Sequence, residues 1–207
     1  MKDNPFDIFT DEYENWFKEN KTIFQSELLA LKHLMPAGKK GVEIGIGSGL
    51  FAEKLNIKFG IDPSGKMLNY ATQRNLTVKE GIAENLPYPD NSFDFAVFIT
   101  SICFIDNPDK ALKEAHRIIK NKGDLIIAFI DKESSLGQSL EQAKDSSKFY
   151  KQAKFYSVSE ITSMMVNNHF QITDIVQTLT EMNLKTPEYP IKGHGKGSFV
   201  VIKGKKK

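Results

Sequence analysis

Cysteine is nearly absent from the sequence. Cys103 stands alone among 207 residues, so no disulfide within the chain can hold the fold. Long apolar runs are missing as well. The longest, at 95–105 and 125–130, are too short for a helix across a hydrocarbon layer of about 30 Å. The N-terminal stretch is acidic and aromatic and lacks the apolar centre of a secretion signal. The histidines are few (His33, His116, His169 and His194), and none joins Cys or Asp at metal-ligand spacing, so no metal is expected. Nor does one sign of charge dominate. With 28 basic and 26 acidic residues the net charge is only +2, and the basic stripe with interleaved aromatics of a nucleic-acid enzyme is not seen. The one dense cluster, Lys203-Gly204-Lys205-Lys206-Lys207, reads as a solvated terminus.

The chain does have enough apolar residues for a core, 40% against 26% charged, which argues against disorder. These features predict a single cytoplasmic domain over residues 1–207, with neither nucleic acid nor membrane as a partner. Oligomeric state is left open. Phe9, Tyr13, Trp16 and Phe17 fall at i, i+4, i+7 and i+8, which puts four aromatics on one helix face. A second apolar helical pattern runs from Ile23 through Leu28, Leu29, Leu31 and Leu34 to Pro36. Strands are expected at Gly41–Ile44, Phe59–Ile61, Phe93–Thr100, Leu125–Ile130, Gln171–Leu179 and Ser198–Ile202. Helices are expected at Ser64–Arg74 and Asn107–Ile119, the second opened by an Asn107-Pro108 cap. Ser157 to Glu160 reads as a capping box starting another helix through Asn168, and 133–156 as a polar, helical insertion. Alternating strands and helices call for a parallel sheet covered on both faces.

The chemistry sits in Glu43-Ile44-Gly45-Ile46-Gly47-Ser48-Gly49, where a strand ends and a helix begins. Glycines there let the backbone turn tightly and a ligand approach without a Cβ in the way. The spacing separates nucleotide classes. Dinucleotide enzymes use G-x-G-x-x-G/A, but the last small position is occupied here by Leu50. A phosphate-binding P-loop is excluded, since no Gly-Lys-Ser/Thr follows.

That segment resembles motif I of the class I methyltransferases dependent on S-adenosylmethionine (SAM). Gly60-Ile61-Asp62-Pro63-Ser64 resembles the end of the family's second strand. Glu80 to Asp94 resembles the adenine loop of its ubiquinone/menaquinone type (the type 11 methyltransferase domain), and Pro108 to Ile127 its fourth helix and fifth strand. The resemblance covers roughly 36–130. It implies a Rossmann-like α/β fold, doubly wound around a mostly parallel seven-stranded sheet, with a small helical lid formed by 1–35 and 133–156.

The resemblance also implies SAM as cofactor and a small-molecule acceptor. Asp62 would accept from the ribose hydroxyls. Gly45, Ile46, Gly47, Gly49 and Pro63 would surround the adenosine and methionine portions. Glu43 would either brace the glycine loop or reach the amino-acid end through water. Many relatives have Gly-Asp-Ala-Glu in the adenine loop, and this chain has Ile82 at the Asp position. Ile82 can offer only apolar contact, leaving the Ala83 N–H and Glu84 for the ring, with Met67 at its edge. The Ile99 carbonyl would receive the cofactor ammonium. Thr100, Ile102 and Phe104 would face the transferred methyl, with Tyr13, Trp16 and Phe17 on the acceptor side or packing the lid. Cys103 reads as a small hydrophobe, and no general base stands out, which leans toward an amine or thiol acceptor. The departure at Ile82 leaves a non-catalytic SAM-binding module or partner subunit as the alternative.

Overall fold

The computed structural model describes residues 4–181 and 183–207. Strands β1 (Gly41–Ile44), β2 (Phe59–Asp62), β3 (Thr77–Glu80), β4 (Phe93–Ile99) and β5 (Ile119–Ile130) are joined by helices α4 (Leu50–Leu55), α5 (Gly65–Gln73) and α6 (Pro108–Ile118). Helices α1 (Pro5–Ile8), α2 (Thr10–Glu19) and α3 (Lys21–Leu34) precede β1, and α7 (Ser135–Ala143) and α8 (Val158–Asn167) follow β5. Strands β6 (Phe170–Thr178), β7 (Ile191–Lys192) and β8 (Phe199–Lys206) complete the sheet. Its order is β3-β2-β1-β4-β5-β8-β6-β7. β1 to β5 are parallel, while β8 is antiparallel to both β5 and β6. The sheet is thus α/β and mostly parallel, as expected, with eight strands rather than seven because the two-residue β7 adds an edge.

Alternation along the central strands explains the two-faced covering. Leu125, Ile127 and Phe129 of β5 join one core with α6 and α8, while Ile126 and Ala128 join the other with α3, α4 and α5. Local signals hold at the predicted ends. Asn107 caps α6 by accepting from the Lys110 N–H, and Ser157 and Glu160 close a capping box on α8.

Three expectations are corrected. β3 was not foreseen, because an edge strand reading Thr-Val-Lys-Glu is largely exposed and carries no apolar run. The insertion 133–156 is only partly α-helical: α7 ends at Ala143, and two short 3-10 turns follow, Lys144–Ser146 and Tyr150–Gln152. The lysine cluster is not a solvated terminus. β8 runs through it to Lys206 between β5 and β6, and Lys203 pairs with Asp124 at 3.5 Å. Lys206 is only 8% exposed and donates to the carbonyls of His116 and Ile119, each at 2.7 Å. Its ammonium thereby satisfies the open C-terminal end of α6.

Candidate active site

The carboxyl ends of β1, β2, β4, β5 and β6 lie on one edge of the sheet, together with the start of β8. Above that edge lies a cavity of about 780 Å³. This is within the range of about 300–1,000 Å³ typical of small-molecule sites.

The glycine loop forms its floor. Gly45 has φ +75°, and a Cβ on it would lie 2.4 Å from the Cβ of Ser101, so a side chain is excluded by strain and space together. The Ser101 hydroxyl donates to the Ile44 carbonyl at 2.7 Å, binding the end of β4 to the end of β1. A Cβ on Gly47 would meet nothing nearer than the Tyr13 hydroxyl at 3.8 Å, so this glycine leaves open space beside the backbone. Asp62, at the end of β2, accepts from the Gly47 N–H at 2.8 Å and the Ser64 N–H at 2.9 Å. Burial raises its carboxyl to about 6, although both N–H donors pull it down. A carboxylate offers about four acceptor directions, so ribose hydroxyls can still bond to it.

Most sequence-expected cofactor residues line the cavity: Gly45, Gly47, Asp62, Pro63 and Met67 on one side, Ile82, Ala83, Glu84 and Ile99 on the other. Ile82 is 52% exposed, an apolar side chain at the rim. One Glu84 oxygen accepts from the Asn107 N–H at 3.0 Å, so this side chain also braces the start of α6. Three residues do not line the cavity. Gly49 is a packing glycine, since a Cβ there would lie 2.4 Å from Leu76 and 3.2 Å from Ala71. Ile46 is buried against Gly60 in the core. Glu43 is buried beneath the loop, with one oxygen unpartnered. Its carboxyl is held well above the usual range by desolvation and by Asp62.

The expected acceptor-side residues Tyr13, Trp16, Phe17, Thr100 and Phe104 all line the cavity, and Ile102 does not, being sealed in the core. Thr100 has φ +49°, a strained conformation for a β-branched residue, fixed by its N–H donating to the Ala128 carbonyl at 2.8 Å. Phe17 also packs edge-on against Phe24 and Phe51, at 5.1 and 5.7 Å, so it anchors α2 to the core as well as facing the cavity. Burial pushes the Cys103 thiol up to about 12, which leaves no thiolate for nucleophilic work.

The helices above the cavity are tied to α5. The Ser64 hydroxyl donates to Asp7 at 2.6 Å, Tyr70 bonds to Asp11, and Arg74 pairs with Glu14 at 2.6 Å. Arg74 also donates to the Ser48 carbonyl at 2.9 Å, so one guanidinium connects α2, α5 and the glycine loop. Phe149, from the insertion, packs on Phe6 and Tyr13, closing the cover from the other side.

Glu27 is the residue the sequence reading missed. It lines the cavity from α3, is 5% exposed, and burial raises its carboxyl to about 8. Its signal was an acid on the apolar stripe shared with Ile23, Ala30, Leu31 and Leu34. Among the described residues, no helix is long and apolar enough to cross a membrane, and no group of three His, Cys, Asp or Glu could hold a metal ion.

A mostly parallel sheet, a glycine loop with an open face, and a buried acid at the end of the second strand define a nucleoside-cofactor enzyme. Residues 42–127 match the family described as methyltransferase domain. A solved structure from Thermotoga maritima, described as a SAM-dependent methyltransferase and possible histamine N-methyltransferase, is 46% identical with a TM-score of 0.96. The match covers 98% of this chain and 99% of that one. An uncharacterised protein of Methanocaldococcus jannaschii is 41% identical over 204 residues, covering 98% of this chain and 99% of its own length. A ubiquinone/menaquinone biosynthesis C-methyltransferase of Rickettsia akari is 32% identical over 127 residues, 61% of this chain and 46% of that protein. The chain belongs to the class I SAM-dependent methyltransferases, and its cofactor is S-adenosylmethionine.

Proposed function

We propose that the chain transfers a methyl group from SAM to a small-molecule acceptor inside this cavity, the whole chain working as one domain. The single observation that carries the reading is the continuity of the space. One cavity runs from Asp62 and the glycine loop to a wall of aromatics most of which lie outside the family match. When bound, SAM supplies an activated sulfonium methyl, which an acceptor lone pair takes by in-line displacement while the C–S bonding pair returns to sulfur.

In this reading Asp62 holds the ribose hydroxyls, Gly45 and Gly47 admit the backbone-facing side of the cofactor, and the Ile99 carbonyl takes its ammonium. Pro63, Met67, Ile82 and Ala83 enclose the adenine, with one oxygen of Glu84 left for its amino group. Glu43, Ile46 and Gly49 act one step back, keeping the loop in shape. Thr100 and Phe104 flank the methyl, and Tyr13, Trp16 and Phe17 form part of a lid with the 133–156 segment. The lid excludes water and orients the acceptor; orientation alone can contribute about 7–11 kcal/mol. A nitrogen acceptor agrees with the description of the Thermotoga relative.

Titration calorimetry with SAM and with its demethylated product, S-adenosylhomocysteine, tests the reading, followed by methyl transfer to a panel of small amines, thiols and phenols. Stoichiometric cofactor binding with turnover on at least one acceptor is expected. No binding of either form would end the proposal.

A further inference from the structure

The cavity's charged lining is one-sided. Glu27, Asp62, Glu84, Asp106 and Glu181 line it, and among the described residues no Lys, Arg or His does. Asp62 and Glu84 have backbone partners. Of the other buried acids, Glu14 is paired with Arg74, Asp124 lies beside Lys203, and Asp131 accepts from the Glu133 N–H at 3.1 Å. Glu43 has an unpartnered oxygen too among the described residues, but it lies beneath the glycine loop and does not line the cavity. Glu27 does line it. Although it is 5% exposed, no hydrogen bond or ion pair reaches its carboxylate among the described residues, and burial alone accounts for its raised carboxyl. A buried carboxylate without a partner is costly, and here it borders a cavity from which a partner can come.

The position of Glu27 separates it from the cofactor. The ribose acid and adenine loop come from the ends of β2 and β3, on the outer half of the parallel sheet. Glu27 comes from α3, which packs on β6 and β8 beyond the other side of β1. Ile130, Leu179 and Ser198 line the cavity from that same half. Tyr150 lines the same cavity as Glu27 and stacks on Phe104 at 5.9 Å, so the carboxylate and the aromatic faces share one space. A carboxylate among aromatic faces suits an organic cation, since both attract positive charge. The acidic lining repels a carboxylate or phosphate.

We propose that Glu27 is the specificity-determining residue of the acceptor site and that the acceptor is a small amine bound through a cationic nitrogen other than the atom whose lone pair takes the methyl. The assignment rests on the methyltransferase reading. Glu27 holds that nitrogen by a charge-assisted hydrogen bond, the aromatic wall covers the carbon skeleton, and the cationic acceptor supplies the counter-charge that the folded chain withholds.

The test uses the full chain saturated with S-adenosylhomocysteine, titrated calorimetrically with histamine, tyramine and putrescine against tyrosol, butanediol and succinate. At least one amine should bind, and succinate should not. In Glu27→Gln, amine affinity should fall by about 10-fold or more, the change expected when a hydrogen bond between charged groups is lost. Cofactor-product affinity should stay within about 2-fold, which also verifies that the variant is folded. Glu27→Asp should recover part of the amine binding. Equal amine affinity in Glu27→Gln, or product binding to the wild type with no amine bound, overturns the assignment. Failure of the product itself to bind overturns the methyltransferase reading instead, so the two failures are distinguishable.

Discussion

At the scale of single residues, two buried carboxylates carry opposite expectations. Asp62 is supported by two backbone N–H groups and faces the glycine loop. Asp62→Ala should weaken SAM binding by about 1.5–3 kcal/mol, the usual loss for hydrogen bonds to a charged group. Calorimetry on the variant checks this, and wild-type affinity would remove Asp62 from the cofactor site. Glu27 is unsupported, and its folded value of about 8 lies above the ordinary 4.5. The unfolded chain therefore loses its proton first as pH rises. Stability contributed by the protonated side chain is complete below about pH 4.5 and declines to about pH 8, a span worth up to about 5 kcal/mol. Glu27→Gln should flatten that slope in urea unfolding of the cofactor-free protein. It should be the more stable form at pH 8 and indistinguishable from wild type near pH 4. Parallel curves would show that Glu27 has a partner. Gly47→Val should abolish cofactor binding while circular dichroism stays close to wild type, because the space beside Gly47 is open to the cavity rather than filled by core.

At the scale of elements, the question is what α1 and α2 do. Their acids Asp7, Asp11 and Glu14 all bond to α5 or its cap, and Phe17 reaches the core. Removing residues 1–20 would therefore expose Phe24 and Phe51 and lower the melting temperature, as well as open the cavity. A milder change isolates the latch. Arg74→Ala leaves Glu14 buried without its partner, a loss of about 3–5 kcal/mol for a buried pair broken on one side. Hydrogen exchange over residues 5–19 should speed up and turnover fall, with the sheet's protection unchanged. Uniformly faster exchange across the sheet would show instead that α2 is part of the core. Tyr13, Trp16 and Phe17 share α2 and line the cavity, as their spacing predicts, but Phe9 falls in the break between α1 and α2 and does not line it. The latch was not legible in the sequence, because Asp7 and Glu14 meet Ser64 and Arg74 from 57 and 60 residues away.

At the scale of the whole molecule, the C-terminal strand joins two halves of the sheet. β8 lies between β5 and β6, and Lys206 ends it inside the structure. Deleting 203–207 should therefore prevent folding, whereas a solvated tail could be lost without effect. Lys206→Ala should fold but lose about 2–3 kcal/mol, since two carbonyls at the end of α6 lose a charged donor. Denaturant unfolding at neutral pH measures both, and wild-type stability of the shortened chain would contradict the strand's role.

The sequence by itself determined the parallel α/β order, the glycine loop, the position of the acid Asp62 at the end of β2, the caps of α6 and α8, and the family. All of these are written in short-range spacing: period two or 3.6 in apolar residues, or a handful of neighbours at a turn. Only the tertiary structure decided that Gly49 serves packing, that Ile46 faces core, and that the terminal lysines are ordered. The same holds for Glu27, which faces an acidic, aromatic cavity with no partner among the described residues. Each of these depends on which distant element lies opposite: Leu76 and Ala71 for Gly49, α6 for Lys206, and the ends of β5, β6 and β8 for Glu27. A side chain's charge and size are local properties, but its partner is set by how the sheet orders its strands. That order, with β8 inserted between β5 and β6, is the part a reading along the chain does not contain.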